Sequence, residues 1–176
     1  MDYKQTEIKG VYIIEPHVFN DARGYFFEAW KNEEFQRYVG KINFIQDNES
    51  KSSYGVLRGL HYQKGEYSQA KLISILKGSV LDIVVDLRKD SETFGRYFAI
   101  EINEKSKRML FIPKNFAHGF LTLEDDTEVF YKCDNFYNPQ SEAGIIWDDS
   151  DLNIEWNLKK YKINESELII SEKDKK

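Results

Sequence analysis

The sequence predicts an all-β fold, an antiparallel sandwich or barrel with one or two short helices. Short β-branched and aromatic runs recur along the chain between glycine, asparagine and charged turns, which is typical of such folds. The 176 residues are 41% hydrophobic and 15% aromatic, enough for one well-filled core and too few for two. We therefore expect a single domain over residues 1–176.

The first elements are predicted in the amino-terminal third of the chain. Gly10–Glu15, Tyr25–Trp30 and Asn43–Gln46 are apolar or aromatic runs bounded by turn residues, which predicts strands. Between the second and third runs, Asn32–Val39 begins with an N-cap residue and two glutamates, the pattern of a short amphipathic helix. A second short helix is predicted near Leu158–Lys162.

A β-hairpin is predicted in the middle of the chain. Lys71–Lys77 and Val80–Arg88 are strand-like runs separated by two residues with glycine first, which suits a type II′ turn. Strict pairing across this turn places Ile75 opposite Asp82 on one face. The other face is predicted to be dry core, and its residues are Leu72, Leu76, Leu81, Ile83, Val85 and Leu87. Further strands are predicted at Arg96–Ile102, Arg108–Ile112, Gly119–Leu123 and Glu128–Asp134.

Composition restricts the classes of partner and the compartment. A net charge of −5 and a pI near 5.3 argue against a general nucleic-acid surface. Cys133 is the one cysteine, so no intrachain disulfide can form and a reducing compartment is expected. Met1–Glu7 lacks the apolar core of a signal peptide, and no apolar run approaches membrane-spanning length. We therefore expect a cytoplasmic protein that binds neither nucleic acid nor membrane.

The segment Leu57–Gln63 combines a cation, a glycine and a histidine in one strand-like run. The unperturbed pKa of imidazole lies nearest neutrality, so His61 can take and return protons at cellular pH. In strict alternation Arg58 and His61 face opposite sides of the strand. We therefore predict a bulge or twist at Gly59 if both side chains reach one ligand.

Two histidine-bearing strand segments separated by the predicted hairpin resemble the cupin barrel. Its metal-binding members use an H-x-H pair, a nearby glutamate and a later histidine. Here Gln63 stands where the second histidine of the pair is expected. His61, His118 and Glu66 then remain, short of the three or four convergent ligands that a metal site normally needs. We predict no bound metal, and a metal-dependent cupin oxygenase stays as an alternative hypothesis.

A series of ordered motifs extends over nearly the whole chain. They are Asp21–Glu28, Gln46–Asn48, Arg58–Gln63, Lys71-Leu72, Val85–Arg88, Pro113–Phe120, Tyr131–Cys133, Tyr137, Glu142, Trp147–Asp149 and Ser171–Asp174. A series in this order is far more specific than any one of its motifs. Together they resemble the dTDP-4-dehydrorhamnose 3,5-epimerase family of nucleotide-sugar enzymes, which have a cupin-like jelly-roll fold.

The resemblance implies an isomerase that converts dTDP-4-dehydro-6-deoxy-D-glucose to dTDP-4-dehydro-L-rhamnose without a cofactor. The keto group acidifies the C–H bonds at C3 and C5, so a base can remove a proton and an acid can return one from the opposite face. By resemblance His61 is the base and Asp174 the carboxylate that orients it. Tyr131 matches the acid, and Lys71 matches the cation beside the keto oxygen. Asp82, from hairpin pairing alone, is the alternative partner for His61.

The other matched positions are implied ligand contacts. Arg23, Arg58 and Lys173 resemble contacts to the diphosphate or sugar, and Tyr137 resembles the ring that stacks on thymine. The remaining contacts are Glu28, Gln46, Asn48, His118 and Glu142. The family is typically a homodimer with exchanged amino-terminal strands, which implies that some of these residues serve the partner's site. Epimerisation of one carbon, another nucleotide sugar, or sugar-nucleotide binding without catalysis remain open alternatives.

Overall fold

The computed structural model describes residues 1–175, which form fourteen strands, one α-helix and two single-turn 3₁₀ helices. The α-helix, α1, spans Asn32–Tyr38, and the 3₁₀ helices span Gly65–Tyr67 and Glu165–Glu167. The strands are β1 (Asp2–Gln5), β2 (Tyr12–Glu15), β3 (Phe19–Asp21), β4 (Gly24–Phe26), β5 (Gln46–Ser52), β6 (Val56–Gln63), β7 (Lys71–Lys77), β8 (Ser79–Asp86), β9 (Tyr97–Asn103), β10 (Met109–Ile112), β11 (Phe116–Thr122), β12 (Thr127–Cys133), β13 (Glu142–Gly144) and β14 (Ile169–Ile170).

Two antiparallel sheets make up most of the fold. The first sheet has the order β1-β2-β10-β7-β12-β5, and the second has the order β13-β6-β11-β8-β9. The short β14 adds to the second sheet, parallel to β6, while β3 and β4 form a separate two-stranded ribbon. Side chains of both sheets, among them Ile73, Ile75, Val80 and Val84, share one buried cluster. The predicted all-β antiparallel architecture is therefore confirmed.

The predicted hairpin between β7 and β8 is wrong, although both strands exist. β7 pairs with β10 and β12 of the first sheet, whereas β8 pairs with β9 and β11 of the second. The chain crosses between the sheets at Gly78, whose φ is +79°. A Cβ at this position would lie 2.3 Å from Thr127 Oγ1. The glycine is thus needed for a tight crossing between sheets, which has the same local signal as a hairpin turn.

The single dry face predicted for this hairpin is wrong for the same reason. Leu72 packs beneath α1 on the outer side of the first sheet. Leu81, Ile83 and Val85 pack on the outer side of the second sheet, against the segment 145–170. Leu76 is 47% exposed. Because the two strands belong to different sheets, their matching alternation produces two separate outer clusters.

The helix predictions have opposite outcomes. α1 is confirmed, with Phe35 as its buried anchor and Lys31 rather than Asn32 at the N-cap position. The second predicted helix, Leu158–Lys162, is wrong, because these residues form turns. Asn157 and Lys162 both have positive φ, 53° and 56°, which the right-handed helix does not allow.

Strand boundaries are predicted unevenly. The predicted strands at Arg96–Ile102, Arg108–Ile112, Gly119–Leu123 and Glu128–Asp134 agree with β9 to β12 to within a few residues. The early ones are less accurate: β4 ends at Phe26, and β5 begins at Gln46, where the predicted strand ended. None of the helices among residues 1–175 is long and apolar enough to cross a membrane.

The carboxyl-terminal segment returns to the second sheet. Ile169 and Ile170 pair with Val56 and Leu57 at the start of β6. The turn that begins at Ser171 runs along β6 toward His61. This turn brings Asp174 into a buried position beside β6. Lys176 lies outside the described residues.

Candidate active site

A cavity of about 540 Å³ opens between the two sheets. Its lining includes Arg58 and His61 from the second sheet, Lys71 and Tyr131 from the first, and Asp174 from the carboxyl-terminal segment. A cavity of about 230 Å³ shares His61, Lys71 and Tyr131 with it. The two cavities therefore form one continuous candidate site with titratable groups on both walls.

Eleven of the thirteen residues predicted for the site line these two cavities. The larger cavity adds His118 and Lys173 to the five residues above, and the smaller adds Gln46, Asn48, Tyr137 and Glu142. Arg23 and Glu28 line neither cavity. The Arg23 side chain is 91% exposed, and its Nη2 donates to Asp21 Oδ2 at 2.6 Å. These two residues are not brought to the site of their own chain.

A β-bulge brings Arg58 and His61 to the same cavity, as predicted. His118 pairs with His61 and Phe120 pairs with Arg58, so β6 has one residue more than β11 between these pairs. Gly59 occupies the bulge with a φ of +109°. A Cβ on Gly59 would lie 2.6 Å from the backbone of β11. A glycine is therefore required for the register shift that turns both polar side chains inward.

His61 is paired with the buried carboxylate of Asp174. Nε2 of His61 lies 2.5 Å from Asp174 Oδ1, and the Gly59 N–H donates to Oδ2 at 3.5 Å. Burial lowers the pKa of His61, while the negative charge and hydrogen bond of Asp174 act in the opposite direction. With Nε2 engaged, Nδ1 is the nitrogen left for a ligand.

Asp82 partners His118, so its predicted alternative role beside His61 is wrong. His118 Nε2 lies 2.9 and 3.0 Å from the two carboxylate oxygens of Asp82, which is fully buried. The two histidines are direct neighbours across β6 and β11. The second sheet thus presents two imidazole rings, each held by its own carboxylate.

The first sheet contributes an amine and a phenol. Burial lowers the pKa of Lys71, partly offset by Cys133, Asp82 and Glu142. Burial raises the pKa of Tyr131. The Tyr131 phenol therefore stays protonated at neutral pH and can donate a proton.

A polar cluster connects the outer end of the site to the carboxyl-terminal segment. The Tyr137 hydroxyl donates to Glu142 Oε2 at 2.8 Å, and Lys173 forms an ion pair with the same carboxylate. Burial raises the pKa of Glu142, but hydrogen bonds from Lys173 and Tyr137 outweigh burial and lower it. The side-chain oxygen of Gln46 accepts the Tyr137 N–H at 3.2 Å.

Sequence reasoning missed several lining residues. Ser50, Phe120 and Ser171 line the larger cavity without having been predicted. Ser50 had a usable signal, because it follows Asn48 at the two-residue spacing of one strand face. Within residues 1–175, no three His, Cys, Asp or Glu side chains converge as metal ligands would.

Fold and cavity together define a cupin-like β protein with an acid–base site between its sheets. A family model described as dTDP-4-dehydrorhamnose 3,5-epimerase matches residues 5–176. A curated relative of that name from Shigella flexneri is 46% identical over 169 residues, 96% of this chain and 93% of the relative. The chain belongs to the dTDP-4-dehydrorhamnose 3,5-epimerase family.

Solved structures agree with this assignment. The dTDP-4-dehydrorhamnose 3,5-epimerase of Elizabethkingia anophelis NUHP1 superposes with a TM-score of 0.92 at 50% identity, over 99% of this chain and 93% of that one. The dTDP-6-deoxy-D-glucose-3,5-epimerase of Legionella pneumophila Philadelphia 1, in complex with dTDP-4-keto-L-rhamnose, gives 0.90 at 40% identity, over 98% and 89% of the two chains.

Proposed function

We propose that this protein converts dTDP-4-dehydro-6-deoxy-D-glucose to dTDP-4-dehydro-L-rhamnose by proton transfer at C3 and C5, without a cofactor. One observation carries the proposal: a histidine–carboxylate pair and a phenol line one cavity from opposite sheets. His61 lies on β6 of the second sheet and Tyr131 on β12 of the first. Inversion needs removal of a proton on one face of the sugar and its return on the other, which this placement supports.

His61 is the proposed base and Asp174 its orienting partner. Nδ1 of His61 removes the proton from C3 or C5, and the Asp174 carboxylate stabilises the imidazolium that forms. The electron pair of the C–H bond moves into an enolate whose charge resides on the C4 oxygen. The negative oxygen favours the protonated form of the buried Lys71 amine. The positive charge of that amine in turn stabilises the oxygen. Tyr131 then donates a proton to the opposite face.

The other lining residues are proposed to hold the nucleotide. Arg58 suits the diphosphate, because its guanidinium can donate to two phosphate oxygens. The exposed Tyr137 ring offers a face on which thymine can stack. Proposed hydrogen-bonding contacts are Gln46, Asn48, His118, Glu142 and Lys173. The complex of the Legionella pneumophila relative with dTDP-4-keto-L-rhamnose supports a dTDP-linked ligand.

A homodimer is proposed to complete the site. Arg23 and Glu28 line neither cavity of their own chain. In a dimer they could instead contact the ligand bound to the partner subunit. Arg23 lies in the turn of the β3–β4 ribbon, and Glu28 follows the ribbon. The ribbon exposes Phe19, Tyr25 and Phe26 by 57–66%, apolar surface that a partner would cover. We also propose that the chain is one cytoplasmic domain with neither nucleic-acid nor membrane partners, which its negative net charge supports.

The proposed function is tested by NMR of dTDP-4-keto-6-deoxy-D-glucose incubated with the protein in deuterium oxide. We expect deuterium and inverted configuration at both C3 and C5. Deuterium at one carbon would instead identify an epimerase for that carbon. Tight binding without exchange would favour a binding protein or a different nucleotide sugar. Stoichiometric iron, nickel or manganese in protein purified without chelator would contradict the cofactor-independent mechanism.

A further inference from the structure

One face of β5 presents a row of polar side chains toward the space between the sheets. The row consists of Gln46, Asn48, Ser50 and Ser52, at the two-residue spacing of one strand face. Gln46 Nε2 donates to Asn48 Oδ1 at 3.0 Å, and Asn48 Nδ2 donates to Cys133 Sγ at 3.7 Å. Ser52 Oγ accepts the Nε–H of Arg58 at 3.0 Å. Ser50 is the one member of the row whose side chain forms no hydrogen bond within residues 1–175.

The Ser50 hydroxyl is buried without a protein partner. Among residues 1–175 the same holds for one other side-chain oxygen or nitrogen, Thr122 Oγ1. A buried hydroxyl that forms no hydrogen bond opposes folding, since it gives up its bonds to water without replacement. The two sites differ in one respect: Ser50 lines the larger cavity, whereas Thr122 lines neither of the two. A ligand bound in the larger cavity can therefore supply the hydrogen bond that the Ser50 hydroxyl lacks.

Strand register places Ser50 between two groups with proposed roles. Asn48 pairs with Tyr131 and Ser50 pairs with Val129, so Ser50 lies one inward-facing step beyond the proposed acid. The next step, Ser52, holds the Arg58 side chain. Ser50 is thus flanked by the group proposed to act on the sugar and the group proposed to bind the diphosphate.

We propose that Ser50 is a positioning and specificity-determining residue that hydrogen-bonds the C2 hydroxyl of the hexose. C2 lies between C1, which carries the diphosphate, and the reacting C3. Along β5 the order is the same: Ser52 holds Arg58, Ser50 follows, and Asn48 pairs with Tyr131. The hydroxyl of Ser50 can donate to the sugar oxygen or accept from it, because its hydrogen can rotate about the Cβ–Oγ bond. This inference rests on the proposed function and names a substrate contact within it.

The test compares Ser50→Ala with wild type on two substrates, dTDP-4-keto-6-deoxy-D-glucose and its 2-deoxy analogue. Ser50→Ala should lower kcat/KM for the first by roughly 3- to 10-fold, the loss expected for one neutral hydrogen bond. It should leave kcat/KM for the analogue unchanged, because that substrate lacks the group that Ser50 contacts. The melting temperature should not fall, because the variant removes an unpaired polar atom.

Thr122→Val is the matched control, since it removes the other unpaired hydroxyl away from both cavities. It should leave the ratio of kcat/KM values for the two substrates unchanged. A Ser50→Ala variant that treats both substrates alike would overturn the inference, as would a lower melting temperature with unchanged kinetics. Absence of deuterium exchange by the wild-type protein would refute the proposed function instead, so the two failures are distinguishable.

Discussion

His61 experiences two opposing influences on its pKa. Burial lowers it and Asp174 raises it, so the carboxylate makes the imidazole a stronger base than burial alone would allow. The pair is formed by residues 113 positions apart. The strength of the His61–Asp174 interaction should therefore depend on how the carboxyl-terminal segment packs against β6.

Replacing this carboxylate should weaken the base. In Asp174→Asn we expect kcat/KM to fall by about 100-fold or more, because the imidazolium loses its charged partner. The neutral imidazole is the active form, so activity rises with pH through the pKa of His61. Without Asp174 that pKa falls, and the acidic limb of the pH profile should move to lower pH.

The control for this variant is Glu172→Gln on the same segment. Glu172 pairs with Lys175 and is not among the lining residues of the cavity, so its replacement should leave the profile unchanged. The proposed role of Asp174 would be contradicted if the pH profile of Asp174→Asn had the same maximal kcat/KM and the same acidic limb as that of wild type.

The positions of most site residues and the His61–Asp174 pair were predictable from the resemblance, whereas the partner of Asp82 was not. The ordered motifs identify His61 and Asp174 by resemblance, and the structure places them in contact. The predicted hairpin puts Asp82 on the face opposite the dry core, which makes it the alternative partner for His61. Asp82 does share the strand face of Val80 and Val84, which points between the sheets, but it pairs with His118 on the adjoining strand. Residue type indicates chemistry, whereas pairing depends on which strands adjoin.

At the scale of elements, the β6–β11 pair shapes the site through its bulge. Gly59 and Gly119 let the two backbones approach closely, because a Cβ on either would lie less than 3 Å from backbone atoms of the other strand. The bulge was predictable, since Arg58 and His61 are three residues apart and had to share a face. The proximity of Gly119 was not, because it depends on β11 lying beside β6.

Adding one methyl group at the bulge should be strongly destabilising. We expect Gly59→Ala to lower the free energy of unfolding by several kcal/mol, because its Cβ would overlap the backbone of β11. Gly40→Ala is the control: its φ of +125° is similarly unfavourable for alanine, yet nothing lies within 4 Å of its Cβ. That variant should lose only about 1–3 kcal/mol. Equal losses in denaturant unfolding would contradict the steric explanation.

Individual strands were easier to predict than the sheets they form. The alternation of β7 and β8 was read correctly as strand, but both a hairpin turn and a crossing between sheets begin with a glycine of positive φ. Local sequence cannot distinguish them, because the difference lies in which distant strands pair with each side. The failed helix at Leu158–Lys162 shows the same limit, since contacts of the outer cluster override weak helical propensity.

For the whole molecule, the proposed dimer makes a specific prediction about mixed subunits. If Arg23 acts in the partner's site, His61→Ala and Arg23→Ala subunits should each be weakly active alone. Randomly mixed dimers should then recover about a quarter of wild-type activity, because half are mixed and each mixed dimer has one intact site. Sedimentation analysis should show twice the 20.8 kDa chain mass. Monomers, or mixtures that recover no activity, would contradict this arrangement.

The central claim is that His61 and Tyr131 act on opposite faces of one 4-keto sugar. The most direct test follows deuterium incorporation at C3 and C5 by NMR for His61→Ala and Tyr131→Phe beside wild type. We predict that His61→Ala abolishes exchange at both carbons, whereas Tyr131→Phe retains exchange better than it retains inverted product. Near-normal exchange by His61→Ala would show that another residue is the base and would contradict the account.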